Sequence, residues 1–340
     1  MSEFKSGYVA LVGRPNVGKS TLLNALIGTK IAATTHKPQT TRKNLLGVIH
    51  LEGAQMLLLD TPGYHRAKGP LNRFMVGEAK SAIRDADVIG YLVEARLDAK
   101  ITPGNEPLID MLKRSGKPVV LIINKIDTLK DKPALLFQIQ AYQTLFGESL
   151  ATAVPISAMQ HNGLDRLLGA LAEHLPVGPA LYEDGQLTDK SEREIVAELI
   201  REKVILETFD ELPYAVHVDV ESFVDERPKI VKIAATLTVE RNSQKPIVIG
   251  KGGERIKAIG IRARQELEHF LESKVFLEMH VQVDEGWTSS PRALNELGYT
   301  RATPKDRPEI FEIDDEDMPD DESGDLEEED ELEEAGEEPS

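Results

Sequence analysis

The chain has 340 residues, 40 Lys and Arg, 58 Asp and Glu, and no cysteine; its length points to two domains rather than one. Without cysteine there is no disulfide framework, thiolate metal site or cysteine nucleophile, and no apolar run approaches the roughly 18 residues of a membrane span. The opening MSEFKSGYVALVG lacks the basic start and apolar core of a signal peptide, so a cytoplasmic protein is expected.

The net charge of −18 belongs to one end of the chain. Residues 309–340 hold 19 acids and no Lys or Arg, which leaves 39 acids and 40 bases for residues 1–308. A block so acidic and so poor in apolar residues is expected to be disordered.

From Tyr8 onward, short apolar runs alternate with helical patterns. YVALVG reads as a buried strand. GRPNVGKS follows at 13–20 and fits G-x-x-x-x-G-K-[ST], leading into a helical candidate at 18–28. Gly13 and Gly18 let backbone N–H groups curl around phosphate oxygens, joined by those of Arg14, Asn16 and Val17 as the loop turns, while the helix N-terminus adds its positive dipole end. Proline has no N–H, so Pro15 contributes shape only. Lys19 reaches the β- and γ-phosphates, and Ser20, followed by Thr21, offers a hydroxyl to Mg²⁺. By residue frequencies a chance match in this chain is about 1%.

The strand MLLLD ends in Asp60-Thr61-Pro62-Gly63, so Asp60 can hold Mg²⁺ through water and the Gly63 N–H can sense a γ-phosphate. A helical candidate at 72–86, the strand VIGYLVEA and a second helical candidate at 104–115 follow. PVVLIIN then ends in Asn124-Lys125-Ile126-Asp127. The Asp127 carboxylate can accept from guanine N1–H and the 2-amino group, neither of which adenine offers. Asn124 would tie down the loop and the Lys125 stem would cover one ring face. After a helical candidate at 133–146, the run AVPI leads to Ser157-Ala158, which can present an N–H to guanine O6, and a helical candidate at 163–175 closes the series. Each short box alone is weak. Four in order, each at a strand end, specify a GTP site in an α/β domain with a mostly parallel sheet.

The stretch LPVGPALYEDGQLTD, 175–189, breaks the rhythm and reads as a linker. Beyond it the pattern changes to a helix at 191–208, strands at 214–224 and 229–240 joined as a hairpin around DERP, two helices flanking glycines at 250–253, and a final strand VFLEMHVQV at 275–283. This α-β-β-α-α-β order suits a small α+β domain. Gly250, Lys251, Gly252 and Gly253 form a G-x-x-G, which in KH domains clamps a nucleic-acid backbone. Residues 227–264 carry ten Lys and Arg, among them Lys251, Arg255 and Lys257, against two acids, Glu240 and Glu254. That surplus is a footprint for phosphate. Trp287, the single tryptophan, is expected to be packed rather than an exposed base-stacking platform.

These boxes resemble the translation-factor-related GTPases over about 7–175. The resemblance implies that the switch I threonine that ligates Mg²⁺ lies in KPQTTR, 37–42, with Thr41 favoured over Thr40. It also implies switch loops at 34–45 and 62–74 that Mg²⁺–GTP orders. Catalytic contributions are assigned to Lys19, Thr41, Gly63 and Asn16, and metal ligation to Ser20, Thr41 and Asp60. Where Ras-type enzymes carry a water-orienting glutamine, this chain has Tyr64. GTPases with that departure and a P-loop asparagine often use K⁺, which Asn16 would bind; alternatively Asn16 serves only a left-handed turn.

With the second half included, the chain resembles the bacterial Era family over about 7–302, including GWTSSPRALNELGY at 286–299. The resemblance implies a P-loop GTPase domain at 1–175, a linker at 176–189, a type II KH domain at 190–302, and an acidic tail at 303–340 that departs from the family pattern. It implies binding of small-subunit ribosomal RNA near its 3′ end, a role in small-subunit assembly and contact at the inner membrane surface. Two rival readings are a GTP-binding RNA scaffold with negligible turnover and a membrane-surface GTPase using 227–264 for anionic lipid.

Overall fold

A computed structural model describes residues 3–64, 69–97, 101, 105–130, 133–208 and 215–299. The expected tail at 303–340 lies outside these residues. The described part of residues 1–301 forms one compact unit containing two sheets.

The first sheet has six strands: β1 (Lys5–Val12), β2 (Leu45–Leu51), β3 (Ala54–Asp60), β4 (Val88–Glu94), β5 (Val119–Asn124) and β6 (Leu150–Pro155). Their spatial order is β2-β3-β1-β4-β5-β6, parallel except for the antiparallel β2–β3 pair. Strand β5, VVLIIN, is buried at every position, as a parallel strand covered on both faces must be. Helices α1 (Lys19–Ile27), α2 (Pro70–Asp85), α3 (Glu106–Arg114) and α4 (Ala134–Phe146) connect successive strands, and α5 (Leu164–Glu173) follows β6. All five lie within about two residues of their expected spans. Strand β2 is absent from the sequence reading; LLGVIHL with a Glu52-Gly53 turn behind it carries a hairpin signal.

Parallel strands place every β1, β3 and β5 C-terminus on one sheet edge. The P-loop, Asp60–Gly63 and the 124–127 box therefore converge without being adjacent in sequence, as expected at the carboxyl end of an open α/β sheet.

The segment after α5 has neither helix nor strand, yet it is held along the first sheet. Val177 bridges Lys5, the Val48 N–H donates to the Leu187 carbonyl at 2.8 Å, and buried Gln55 accepts from Leu181 and Tyr182 N–H at 2.6 and 2.9 Å. Its path over the edge strand β2 gives backbone groups there a partner.

The second sheet joins β7 (Val216–Glu226) and β8 (Ile230–Val239) as an antiparallel hairpin, with β9 (Val275–Val283) parallel to β8 on the outside. Helix α6 (Glu192–Glu207) opens this half with a Ser191/Glu194 capping box. Helices α7 (Gln244–Ile249) and α8 (Glu254–Phe270) make the crossover a parallel β8–β9 pair requires. The order matches the expected α-β-β-α-α-β. A short helix α9 (Pro291–Glu296), capped by Ser290, follows. Trp287 is fully buried, as expected, in a cluster with Leu71, Phe74 and Met75 of α2 and with Leu294 and Tyr299. Among the described residues no helix is long and apolar enough to cross a membrane.

Candidate functional site

Residues Gly13, Arg14, Pro15, Asn16, Val17 and Gly18 turn from β1 into α1, and Lys19, Ser20 and Thr21 form the first helical turn. Gly18 has φ 99°, and a Cβ there would stand 2.3 Å from Asn124 Nδ2. Glycine thus provides both the left-handed conformation and the room for the 124–127 box to dock. The Asn124 amide ties three segments together: Nδ2 donates to the Val17 carbonyl at 2.9 Å and Oδ1 accepts from the Ala158 N–H at 3.0 Å.

Asp127 accepts the Ser157 hydroxyl at 2.5 Å, and Ser157 Oγ accepts from the Gln160 N–H at 3.2 Å. Lys125 takes φ 66° and pairs with Glu94 at 2.6 Å. The four residues expected to read guanine, Asn124, Lys125, Asp127 and Ala158, are thus brought together with Ser157 as their brace.

At the phosphate end, Lys19 Nζ donates to the Gly13 and Arg14 carbonyls at 3.1 and 2.9 Å. Thr61 is fully buried and donates to the Leu11 carbonyl, so it anchors Pro62 and Gly63 rather than facing a ligand. The Tyr64 N–H donates to the Gly13 carbonyl at 3.0 Å, and a Cβ on Gly63 would stand 2.7 Å from Pro15. Asn16 has φ 65° and donates from Nδ2 to the His36 carbonyl at 2.7 Å. It therefore does occupy the left-handed turn, and it also touches switch I.

Ser20 Oγ lies 2.6 Å from Asp60 Oδ2 and 2.8 Å from Thr41 Oγ1, and Thr41 donates to the same carboxylate oxygen at 3.2 Å. Thr40 instead exchanges a hydrogen bond with Thr35 at 2.6 Å and bonds the Lys37 carbonyl. Thr41, not Thr40, stands with Ser20 and Asp60. Asp60 is fully buried, and its Oδ1 has no hydrogen-bond partner. Burial pushes its carboxyl up to about 6, against the pull of Lys19 and the two hydroxyls; burial likewise pushes Lys19 down to about 8, opposed by Asp60. Both groups are short of counter-charge, which a divalent cation and a phosphate would supply. A buried carboxylate with an unused oxygen, flanked by two hydroxyls, is a hard-oxygen donor set that fits Mg²⁺ shared with phosphates. Among the described residues no three His, Asp or Glu side chains gather into an all-protein cage.

In the second half, the 250–253 loop joins α7 to α8. Gly250 has φ 74°, and a Cβ there would strike Arg255 Cβ at 2.7 Å, so this glycine is required by the approach of α8 itself. Gly252 and Gly253 also have positive φ but open space around them, leaving their backbone accessible. Gly250 thus serves the packing of α8, whatever the loop binds. Lys251 and Lys257 are exposed, whereas Arg255 donates back to the Ile247 carbonyl at 2.6 Å.

The surplus of cations in 227–264 is also smaller than the sequence count implies. Arg227 pairs with Asp225 and Glu192, Lys232 with Glu226, and Arg262 with Glu207, acids that all lie outside that window. Beside the loop, α8 and β9 frame a groove of about 360 Å³ lined by Ile256, Lys257, Ile261, Arg264, Phe276 and Met279 among others. Sequence reasoning missed this groove. Its signal is Phe276, 51% exposed, an aromatic on the otherwise polar Glu278/His280 side of β9.

Residues 8–125 match the model of a 50S ribosome-binding GTPase family and residues 211–288 that of a KH domain. GTPase Era of Geotalea uraniireducens is 50% identical over 297 residues, 87% of this chain and 98% of its own length. The chain belongs to the Era family of GTPases. The Era of Geobacter metallireducens is 49% identical over 298 residues, again 98% of its length. A crystal structure of Era in complex with MgGDPNP and nucleotides 1506–1542 of 16S ribosomal RNA matches with TM-score 0.82 and 39% identity, covering 87% of this chain and 99% of that one. The reaction of an Era GTPase is hydrolysis of GTP to GDP and phosphate, and the GTPase family match covers residues 8–125.

Proposed function

We propose that this chain is a GTP-hydrolysing switch that binds the 3′ region of small-subunit ribosomal RNA through its KH domain and acts in small-subunit assembly in the cytoplasm. In this reading, residues 1–175 are the GTPase domain, 176–189 the linker and 190–302 the RNA-binding domain. The observation that carries it is the match over 87% of the chain to Era holding both MgGDPNP and nucleotides 1506–1542 of 16S ribosomal RNA.

Asp127, Asn124, Lys125 and the Ala158 N–H select guanine. The loop 13–18 with Lys19 holds the phosphates, and Ser20, Thr41 and Asp60 hold Mg²⁺, which when bound neutralises charge on the β- and γ-phosphate oxygens. Water attacks the γ-phosphorus in line as the bond to the β-phosphate oxygen breaks; Lys19 and the Gly63 N–H offset the charge that develops. Tyr64 does not offer a carboxamide to that water. K⁺ held by Asn16 Oδ1 is the assigned replacement, since Asn16 Nδ2 is directed at the His36 carbonyl.

The RNA backbone crosses the 250–253 loop beside Lys251, Lys257 and Arg255, with bases toward Ile261 and Phe276. The test compares full-length parent and the double variant Lys251→Asp, Gly252→Asp for binding to a 16S 3′ fragment, with a large-subunit fragment of equal length as control. The change in loop charge is −3, so the variant is expected to lose 16S binding at physiological salt while GDP affinity is unchanged. Equal binding by variant and parent would remove the loop from the interface. Preference for the large-subunit fragment would remove the small-subunit assignment.

A further inference from the structure

Switch I residues 34–43 sit against the second half of the chain as well as the nucleotide site. The Thr34 N–H donates to Glu202 at 2.8 Å and Lys37 Nζ to the Thr208 carbonyl. The two residues on either side of Thr41 are held most tightly. The Thr40 carbonyl accepts from Arg201, a guanidinium only 1% exposed that Glu198 also holds. On the other side, Arg42 is 3% exposed, donates to the Val216 carbonyl at 2.8 Å and to the Tyr299 hydroxyl at 3.2 Å, and lies 5.6 Å over the Trp287 ring.

Trp287 and Tyr299 stack at 5.9 Å with an 18° interplanar angle. Tyr299 Oη in turn lies 3.0 Å from His217 Nδ1, and Lys43 sits 4.8 Å over the Tyr299 ring. The same pair packs on Leu71, Phe74 and Met75 of α2, the helix that follows switch II. Between these grips the two halves enclose a cavity of about 470 Å³ that runs from Thr41 and Asp60 to His217, Asp219 and Glu221 of β7.

We propose that Arg201 and Arg42 are positioning residues for the nucleotide site: by fixing the backbone on both sides of Thr41, they let the second domain, through the Trp287–Tyr299 platform, set the preference for Mg²⁺–GTP over GDP. Consecutive Cα atoms are about 3.8 Å apart, so neither neighbour can shift without moving Thr41. Mg²⁺ demands oxygen ligands at about 2.0–2.1 Å in near-octahedral order, so a threonine free to drift is a poor ligand. The effect is specific to the triphosphate because switch I engages the metal when the γ-phosphate is present. By linkage, whatever loosens the platform weakens GTP by the same factor by which GTP tightens the platform. The proposal rests on the GTPase-switch reading above.

The test uses the full-length chain and fluorescent GDP and non-hydrolysable GTP analogues titrated over a range of Mg²⁺. Arg201→Met removes the bond to the Thr40 carbonyl at similar volume, and Tyr299→Phe removes one hydroxyl without disturbing the stack. Each is expected to lower affinity for the GTP analogue about five- to twenty-fold, to raise the Mg²⁺ needed for half-maximal binding, and to leave GDP affinity within twofold. Arg201→Lys, which keeps a donor for the Thr40 carbonyl, is expected to recover part of the loss. The single tryptophan gives a second readout: emission of Trp287 in the parent should differ between GDP and Mg²⁺–GTP analogue, and Arg42→Lys should shrink that difference. Equal losses for both nucleotides in both variants would make the contacts merely structural and overturn the proposal, as would no loss for either nucleotide. A parent chain whose two nucleotide affinities do not depend on Mg²⁺ would instead remove the switch reading itself.

Discussion

Asp127 is held in place by a neighbour that cannot replace it. Ser157 donates to its Oδ1 at 2.5 Å, which orients the carboxylate and leaves acceptor capacity for two N–H groups on a base edge. Asp127→Asn converts an acceptor into an amide that donates to the 2-oxo group of xanthine. Preference should swing from GTP to XTP by at least about 100-fold, on the scale of a lost charged hydrogen bond at each of two positions. Competitive binding of the two nucleotides measures it, and a variant that keeps GTP and gains no XTP affinity would remove the 124–127 box from base recognition. Asn16 raises a separate question, because its φ of 65° already accounts for an asparagine in the turn. If its carboxamide oxygen also binds K⁺, turnover should be several-fold faster in KCl than in NaCl at equal ionic strength, and Asn16→Ala should abolish the difference. Equal parent rates in both salts would leave Asn16 as a turn residue alone.

At the scale of elements, the segment after α5 behaves as part of the first sheet's edge. Gln55, 1% exposed, accepts from Leu181 and Tyr182 N–H and donates to the Tyr182 carbonyl at 2.8 Å; Thr188 donates to the Leu46 carbonyl at 2.6 Å. Composition reads this stretch as a linker, from its prolines, glycines and acids. Among its ties is a buried amide on β3 that satisfies three backbone groups at once. Gln55→Leu would remove three hydrogen bonds to half-buried backbone groups, at a cost of about 1 kcal/mol. Urea unfolding with the slope unchanged would measure the loss, while GDP affinity should stay the same because Asp60 lies at the other end of β3. Stability equal to the parent's would show that the segment keeps its path without Gln55.

Over the whole molecule, charge is divided unevenly. Residues 309–340 carry 19 acids, while residues 1–308 are balanced with 40 bases and 39 acids. The Geotalea relative matches over 297 residues, 87% of this chain. A chain of net charge −18 approaches a polyanion against its own field. Deleting residues 309–340 should therefore raise affinity for the 16S fragment about threefold or more in 50 mM salt, and the gain should vanish toward 0.5 M as the Debye length shortens. Fluorescence anisotropy across a salt series would measure it. Identical affinities at low salt would mean the RNA site does not sense the block.

Much of the nucleotide site was legible in the sequence because its boxes are local. Each is a few residues at the end of a buried strand, and parallel strands bring those ends to one edge whatever lies between them. The same holds for the 250–253 loop, flanked by two helical patterns. Trp287 could be read as packed from its chemistry alone. The sequence could not supply partners separated by hundreds of positions. Arg201 and Arg42 look like ordinary surface cations in a row of letters, yet they are buried at the Thr40 and Tyr299 contacts. Two of the ten cations in 227–264, Arg227 and Arg262, are paired to acids, Glu192 and Glu207, that only folding brings near. Gly250 serves the approach of α8, a cause that exists only once α8 is placed. Local motifs follow from chain geometry over one turn or one strand, whereas burial, ion pairing and the grip on Thr41 depend on which surfaces meet, and that is decided by tertiary packing.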